Sequence, residues 1–210
     1  MPALASTTSL AFSQGDFAVL TIPGFQERMA ALRAQLTPKL QAIGERLQPE
    51  LEAATGRTFY VHVARHARRT KNPPDDTWVA LSEMPRGYKM VPHFAVGLFA
   101  DHLFVRVGAL YETDARHGFA QALIDALPRL PKDAQILFDH QQPGGESAAA
   151  LLAEPERIAG AARRRQGEVL LQRARTAETV IGQDVPELVR PLLAPLVAVY
   201  GAWRQTAQLP

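Results

Sequence analysis

At Gly56 the hydrophobic repeat of this chain changes from the period of a helix to the period of a strand, and few folds accommodate both halves. Upstream, Phe25, Met29, Leu32 and Leu36 recur at helical spacing after a turn at Pro23-Gly24. Thr37-Pro38 then reads as a cap followed by a proline at the first position of a second helix. That helix carries Leu40, Ile43, Leu47 and Leu51, is kinked at Pro49, and is stopped by Gly56. Downstream, Phe59, Val61 and Val63 alternate with Tyr60, His62 and Ala64, the signature of a strand. Further strands are predicted over 77 to 81, 93 to 99 and 102 to 110, the last two joined at Ala100-Asp101. The section 59 to 110 is therefore expected to be an antiparallel meander.

Beyond it, Phe119, Leu123, Ile124 and Leu127 mark a helix ended by Pro128, and 134 to 138 a short strand. The stretch 147 to 165 reads as helix and 168 to 172 as strand. Pro186 opens a terminal helix bearing Leu188, Leu192, Leu196, Val199 and Trp203. Near the start, Ser13 with Asp16 three places on is an N-cap signal. The expectation is a single α+β domain over 13 to 205, its meander packed against N- and C-terminal helices, after a loose arm over 1 to 12.

A chain of 210 residues with 47% hydrophobic and 21% charged side chains can bury the core of one such domain. It contains no cysteine, which excludes disulfides, thiolate metal sites and thiol catalysis. The start has no basic region followed by an apolar run, and 192 to 199, interrupted by Pro195, is too short to span a bilayer. The expectation is a cytoplasmic protein without a membrane partner. No P-loop, Gly-x-Gly-x-x-Gly, Gly-x-Ser-x-Gly or His-Glu-x-x-His is present, so no cofactor or catalytic residue is specified by motif.

Charge is unevenly placed. The formal net charge is +2, yet 57 to 93 alone carries +4, from Arg57, Arg65, Arg68, Arg69, Lys71, Arg86 and Lys89 against Asp75, Asp76 and Glu83. A local excess of that kind points to an anionic partner.

Within this segment stand 60 to 70 (YVHVARHARRT), Asn72-Pro73-Pro74 and Asp76-Thr77-Trp78-Val79-Ala80. Arg86-Gly87-Tyr88-Lys89, Pro92-His93-Phe94, Gly97-Leu98 and, later, Asp139-His140 complete the pattern. The set resembles the YktB-like family of uncharacterised bacterial proteins, over about 12 to 200. The resemblance implies a cytosolic α+β domain of similar length and no particular reaction. The alanine- and arginine-rich stretch 147 to 177, and Phe138 in place of a small polar residue, depart from that family's pattern.

His62 and His66 stand four apart, a metal-ligand spacing on a helix. On a strand they would lie about 13 Å apart, too far to share an ion, and no metal site is assigned. A site drawing on His66, His93 and Asp139 or His140 from different strands is left open. Arg65, Arg68, Arg69 and Lys71 lead into a proline-locked loop, and arginine suits a bidentate grip on phosphate or carboxylate. Tyr88 and Trp78 read as stacking groups or as packing, Asp76 as a partner for a nearby arginine, and Arg163-Arg164-Arg165 as a solvated edge. The function is unknown at this level. The reading preferred is a small anionic or phosphorylated ligand held by His62, His66, Arg68, Arg69, Arg86, Lys89 and His93. A nucleic-acid-binding module and a protein-interaction subunit are the alternatives. A concave pocket favours the first, a flat basic stripe with exposed Tyr88 and Trp78 the second, and an apolar patch on the terminal helix the third.

Overall fold

The computed structural model describes residues 10 to 207. Among them, β1 (Tyr60–Val63), β2 (Asp76–Ser82), β3 (His93–Phe99), β4 (His102–Ala109), β5 (Gln135–Leu137), β6 (Glu146–Ser147) and β7 (Val169–Thr176) form one sheet. Neighbours are all antiparallel, in the order β1-β2-β3-β4-β7-β5-β6. The first four strands are the expected meander. The expected strand at 168 to 172 becomes the eight-residue β7, inserted between β4 and β5.

The helices are α1 (Gln14–Ala18), α2 (Phe25–Ala31), α3 (Thr37–Thr55), α4 (Arg116–Ala126), α5 (Ala148–Leu151), α6 (Glu156–Arg163), α7 (Ala177–Val180) and α8 (Val185–Thr206). Ser13 caps α1 as its sequence suggests: the Asp16 carboxylate accepts the Ser13 backbone N–H at 2.7 Å, and Ser13 Oγ accepts the Asp16 N–H at 3.3 Å. Thr37, by contrast, caps nothing. A π-turn over Leu32–Leu36 carries α2 into α3 without a break, and the Thr37 N–H donates back to the Leu32 carbonyl. Pro38 has no N–H to donate and its ring crowds the carbonyl four residues earlier. Widening that turn accommodates the proline without ending the helix.

Residues paired across the sheet share a face, and the two faces differ. Val79, Val96, Val105 and Leu171 lie on the side covered by α3, α4 and α8, in the main core. At Gly44 on α3 a Cβ would sit 2.6 Å from Val79 Cγ2 and 2.7 Å from Val61 Cγ1, so glycine lets this helix lie directly on the sheet. By length and composition α8 also passes for a membrane span, with a mean hydropathy of 1.3, which 192 to 199 alone does not suggest. In this fold its Val189, Leu192, Leu196, Val199 and Trp203 are buried in the core. Of the arm expected over 1 to 12, residues 1 to 9 lie outside those described. Phe12 is buried, and its carbonyl accepts the Gly182 N–H at 2.9 Å.

The opposite face carries the polar rows. One reads His62, Ala80, Ala95, Arg106, Gln172 and Gln135 across the strands, and its neighbour reads Trp78, Gly97, Phe104 and Ala174. Two small apolar clusters, around Phe104 and around Leu170, floor this side.

Candidate functional site

Strand β1 ends at Val63, and the chain leaves the sheet as a basic loop. His66 is in the left-handed region, at φ 49°, and its carbonyl accepts the Arg69 N–H at 3.0 Å. A side chain other than glycine rarely adopts that conformation, so His66 is turned by the loop rather than by a strand. The expectation that His62 and His66 share a strand face is thereby corrected. The far end of the loop is tied down by Arg28 of α2, whose buried guanidinium donates to the Pro74 carbonyl at 2.9 Å and pairs with Asp75 at 3.4 Å.

Between this loop, the segment Tyr88–Met90 and the loop after β5 lies a cleft of about 600 Å³ over the polar face. His66, Arg68, Arg69 and Lys89 line it together with Arg65. Its floor opens into a recess of about 30 Å³, room for about one water, against Asp76, Trp78, His93, Arg106 and His140. His62 and Arg86 face instead a separate groove of about 970 Å³ beside β1, with Arg33 and Arg65. His66 and Tyr88 form the wall common to both. Four of the seven residues singled out from the sequence thus share the cleft, His93 lies beneath it, and His62 and Arg86 lie next door.

Two imidazoles of the site are held neutral. His93 donates Nδ1–H to the Val91 carbonyl at 3.0 Å and packs edge-on to Tyr88, and burial lowers its pKa to about 4. His66 is lowered to about 4 as well, by burial first and then by Arg69 and Lys89. The second pair of causes shows the sign of the potential in the cleft. Tyr88 stacks on His62 with ring centroids 5.4 Å apart, so neither it nor the half-buried Trp78 is an exposed platform.

Residues outside the predicted ligand-binding set complete the site. Asp76 was expected to pair with an arginine; it is Asp75 that does so. Asp76 is 5% exposed, and its carboxylate has neither a hydrogen bond nor an ion pair among the described residues. Burial pushes its carboxyl up to about 6, against the pull of Arg106, His140 and Arg69. His140 is gripped by Glu168, which opens β7: the Glu168 carboxylate accepts the His140 backbone N–H at 2.7 Å and Nδ1–H at 2.8 Å. Nε2 of His140 has no hydrogen-bond partner among the described residues. Asp139, its neighbour in sequence, is exposed, and among the described residues its side chain accepts only the Gln141 N–H.

Arg106, buried at the centre of β4, clamps the loop. It donates to the carbonyls of His140 and Gln142, each at 2.7 Å, and through Nε to Gln172, while its guanidinium lies 4.0 Å over the Phe104 ring. Burial brings its pKa down to about 10, which leaves it charged. Asp139, His140 and Glu168 offer ligand atoms within 4.8 Å of one another, a spacing that would admit a divalent cation. The Nδ1–Glu168 bond and the adjacent guanidinium favour a carboxylate–imidazole pair in that place.

A family model described as a domain of unknown function (DUF1054) matches residues 12–198. The chain belongs to this family. Among curated relatives, a UPF0637 protein of Bacillus mycoides (strain KBAB4) is 44% identical over 137 residues, 63% of this chain and 66% of the relative. A UPF0637 protein of Bacillus thuringiensis (strain Al Hakam) is 43% identical over 136 residues, 63% of this chain and 65% of the relative. The matched stretch spans just under two thirds of these relatives' length. This placement agrees with the YktB-like resemblance read from residues 60 to 98, and neither description names a ligand or a reaction.

Proposed function

We propose that the cleft binds a small anionic ligand, phosphate or a phosphorylated molecule, with Arg68, Arg69 and Lys89 around the charge and Trp78 and Tyr88 beside the remainder. One observation carries this reading. Arg28, Arg157, Arg173, Arg175, Arg190 and Arg204 each pair with a carboxylate. Arg65, Arg68 and Arg69 have no ion-pair partner among the described residues, and all three line one concave space. Like charges held together raise the energy of the fold until a counter-ion joins them. The concave shape favours a small ligand over a nucleic-acid backbone, which needs an open basic track. Among the described residues the large exposed apolar ones are Tyr60, Met84, Met90, Tyr111 and Leu152, none on α8, which disfavours an interaction subunit docking by that helix.

Thermal shift with inorganic phosphate and with phenyl phosphate is the test. Both ligands raise the melting temperature of the wild-type chain, and the rise disappears in the Arg68→Ala, Arg69→Ala double variant. An equal rise in both proteins is a general salt effect and ends the proposal. Tight oligonucleotide binding that falls steeply with salt, without a phosphate response, replaces it with a nucleic-acid surface.

A further inference from the structure

We infer that the cleft is catalytic, hydrolysing phosphate monoesters with His140 as the base that activates water and Asp76 as the acid that protonates the leaving oxygen. This rests on the anion reading above and adds a reaction to it. The first observation is the isolation of Asp76. A carboxyl group 5% exposed, with no donor from the protein, is costly to fold, and it faces the recess and the cleft. Its carboxylate is open to whatever occupies the recess and the cleft. The second observation is independent of the first. Glu168 accepts the Nδ1–H and the backbone N–H of His140, which orients the ring so that Nε2 faces the cleft. His140 lines the same recess and cleft as Asp76, and the Trp78 ring stands 6.3 Å from the His140 ring. A base oriented by a carboxylate and an acid without a protein partner thus line one cleft of about 600 Å³, room for a phosphoryl group between them.

The lining of the cleft contains neither serine nor threonine, and the chain has no cysteine. With His140 and Asp76 given the roles of base and acid, the nucleophile of the proposed step is water. In the step proposed, His140 Nε2 takes a proton from water as its oxygen bonds to phosphorus. The phosphorus–oxygen ester bond breaks, and the leaving oxygen takes the proton carried by Asp76. The products are an alcohol and inorganic phosphate, and the proton gained by His140 returns to Asp76 through solvent. Arg69 and Lys89 neutralise the charge on the transferring group. The elevated pKa of Asp76, about 6, gives it a protonated fraction near neutral pH.

The full chain is assayed for phosphate release from phenyl phosphate and p-nitrophenyl phosphate, with binding of phenyl phosphate measured in parallel by calorimetry. The wild type turns over both. His140→Gln loses activity on both by about 100-fold or more while binding phenyl phosphate as the wild type does. Asp76→Asn loses that much on phenyl phosphate, whose phenolate needs a proton, and far less on p-nitrophenyl phosphate, whose leaving group does not. Glu168→Gln, altering a positioning residue, lowers kcat with KM unchanged. Phenyl phosphate that binds without any phosphate release overturns the catalytic inference and leaves the anion site standing. Absence of both binding and release overturns the two together. Release that persists in His140→Gln, or equal losses on the two substrates in Asp76→Asn, removes the roles assigned here.

Discussion

Glu168 holds His140 at two points, the backbone N–H at 2.7 Å and the ring Nδ1–H at 2.8 Å, although 28 residues of chain separate them. The carboxylate is buried on the residue just before β7, and its two bonds decide where the loop after β5 rests and which ring nitrogen faces the cleft. Removing it leaves two donors without their acceptor. Glu168→Ala is expected to cost about 1–3 kcal/mol in chemical denaturation. The Nδ1 proton signal of His140, slow to exchange in the wild type, should be lost from the NMR spectrum.

Asp76 predicts a pH dependence of definite sign. Its pKa is raised from 3.8 to about 6 on folding, so between those values the folded state holds the proton more firmly than the unfolded chain. Stability on its account is greatest below pH 4 and falls as pH rises through 6. Asp76→Asn removes the penalty. The variant should be more stable than the wild type at pH 7 by roughly 2–3 kcal/mol, and equal to it near pH 4. A variant less stable at pH 7 would mean that the carboxylate has a partner in the folded chain.

His93 acts with the opposite sign. Its folded pKa of about 4 lies below the ordinary 6.5, so the unfolded chain binds the proton more readily. Its share of stability is complete above pH 6.5 and is lost as the pH falls towards 4, by up to roughly 3 kcal/mol. His66, lowered by a similar amount, adds to the loss. His93→Asn keeps a donor for the Val91 carbonyl and cannot titrate. Denaturation curves of that variant at pH 7 and pH 4.5 should lie closer together than those of the wild type.

Arg106 on β4 joins Gln172 on β7 to one loop through the carbonyls of His140 and Gln142. Lysine carries the charge but has no planar fork to reach two carbonyls and an amide at once. Arg106→Lys and Arg106→Met should both lose about 2–4 kcal/mol. Hydrogen exchange should quicken at 139 to 143 and stay unchanged in α3. Unchanged exchange in the loop would show that Glu168 alone holds it.

The order of elements was legible because periodicity is a local property. The alternation of Phe59, Val61 and Val63, and the helical spacing of Leu40, Ile43 and Leu47, follow from which side of each segment meets the core, whatever covers it. The two strands 93 to 99 and 102 to 109, joined by a hairpin turn, had only one way to meet. The family resemblance and the clustering of Arg65, Arg68 and Arg69 were equally visible along the chain. Thr37 was misread because a threonine before proline is a cap signal in isolation; only packing of α2 and α3 on the same core made a π-turn preferable to a break. The site needed more still. Asp139 was the acid expected beside His140, yet Glu168 is the one that binds it, and that choice is made by β7 entering the sheet between β4 and β5. Asp75 and Asp76 are indistinguishable as neighbours in sequence; strand pairing turns one towards Arg28 and solvent and leaves the other buried and unpaired at the cleft. A sequence pattern records which side of a strand is buried. Which polar groups from 76, 106, 140 and 168 then meet is decided by strand order, and strand order is set by the whole sheet at once.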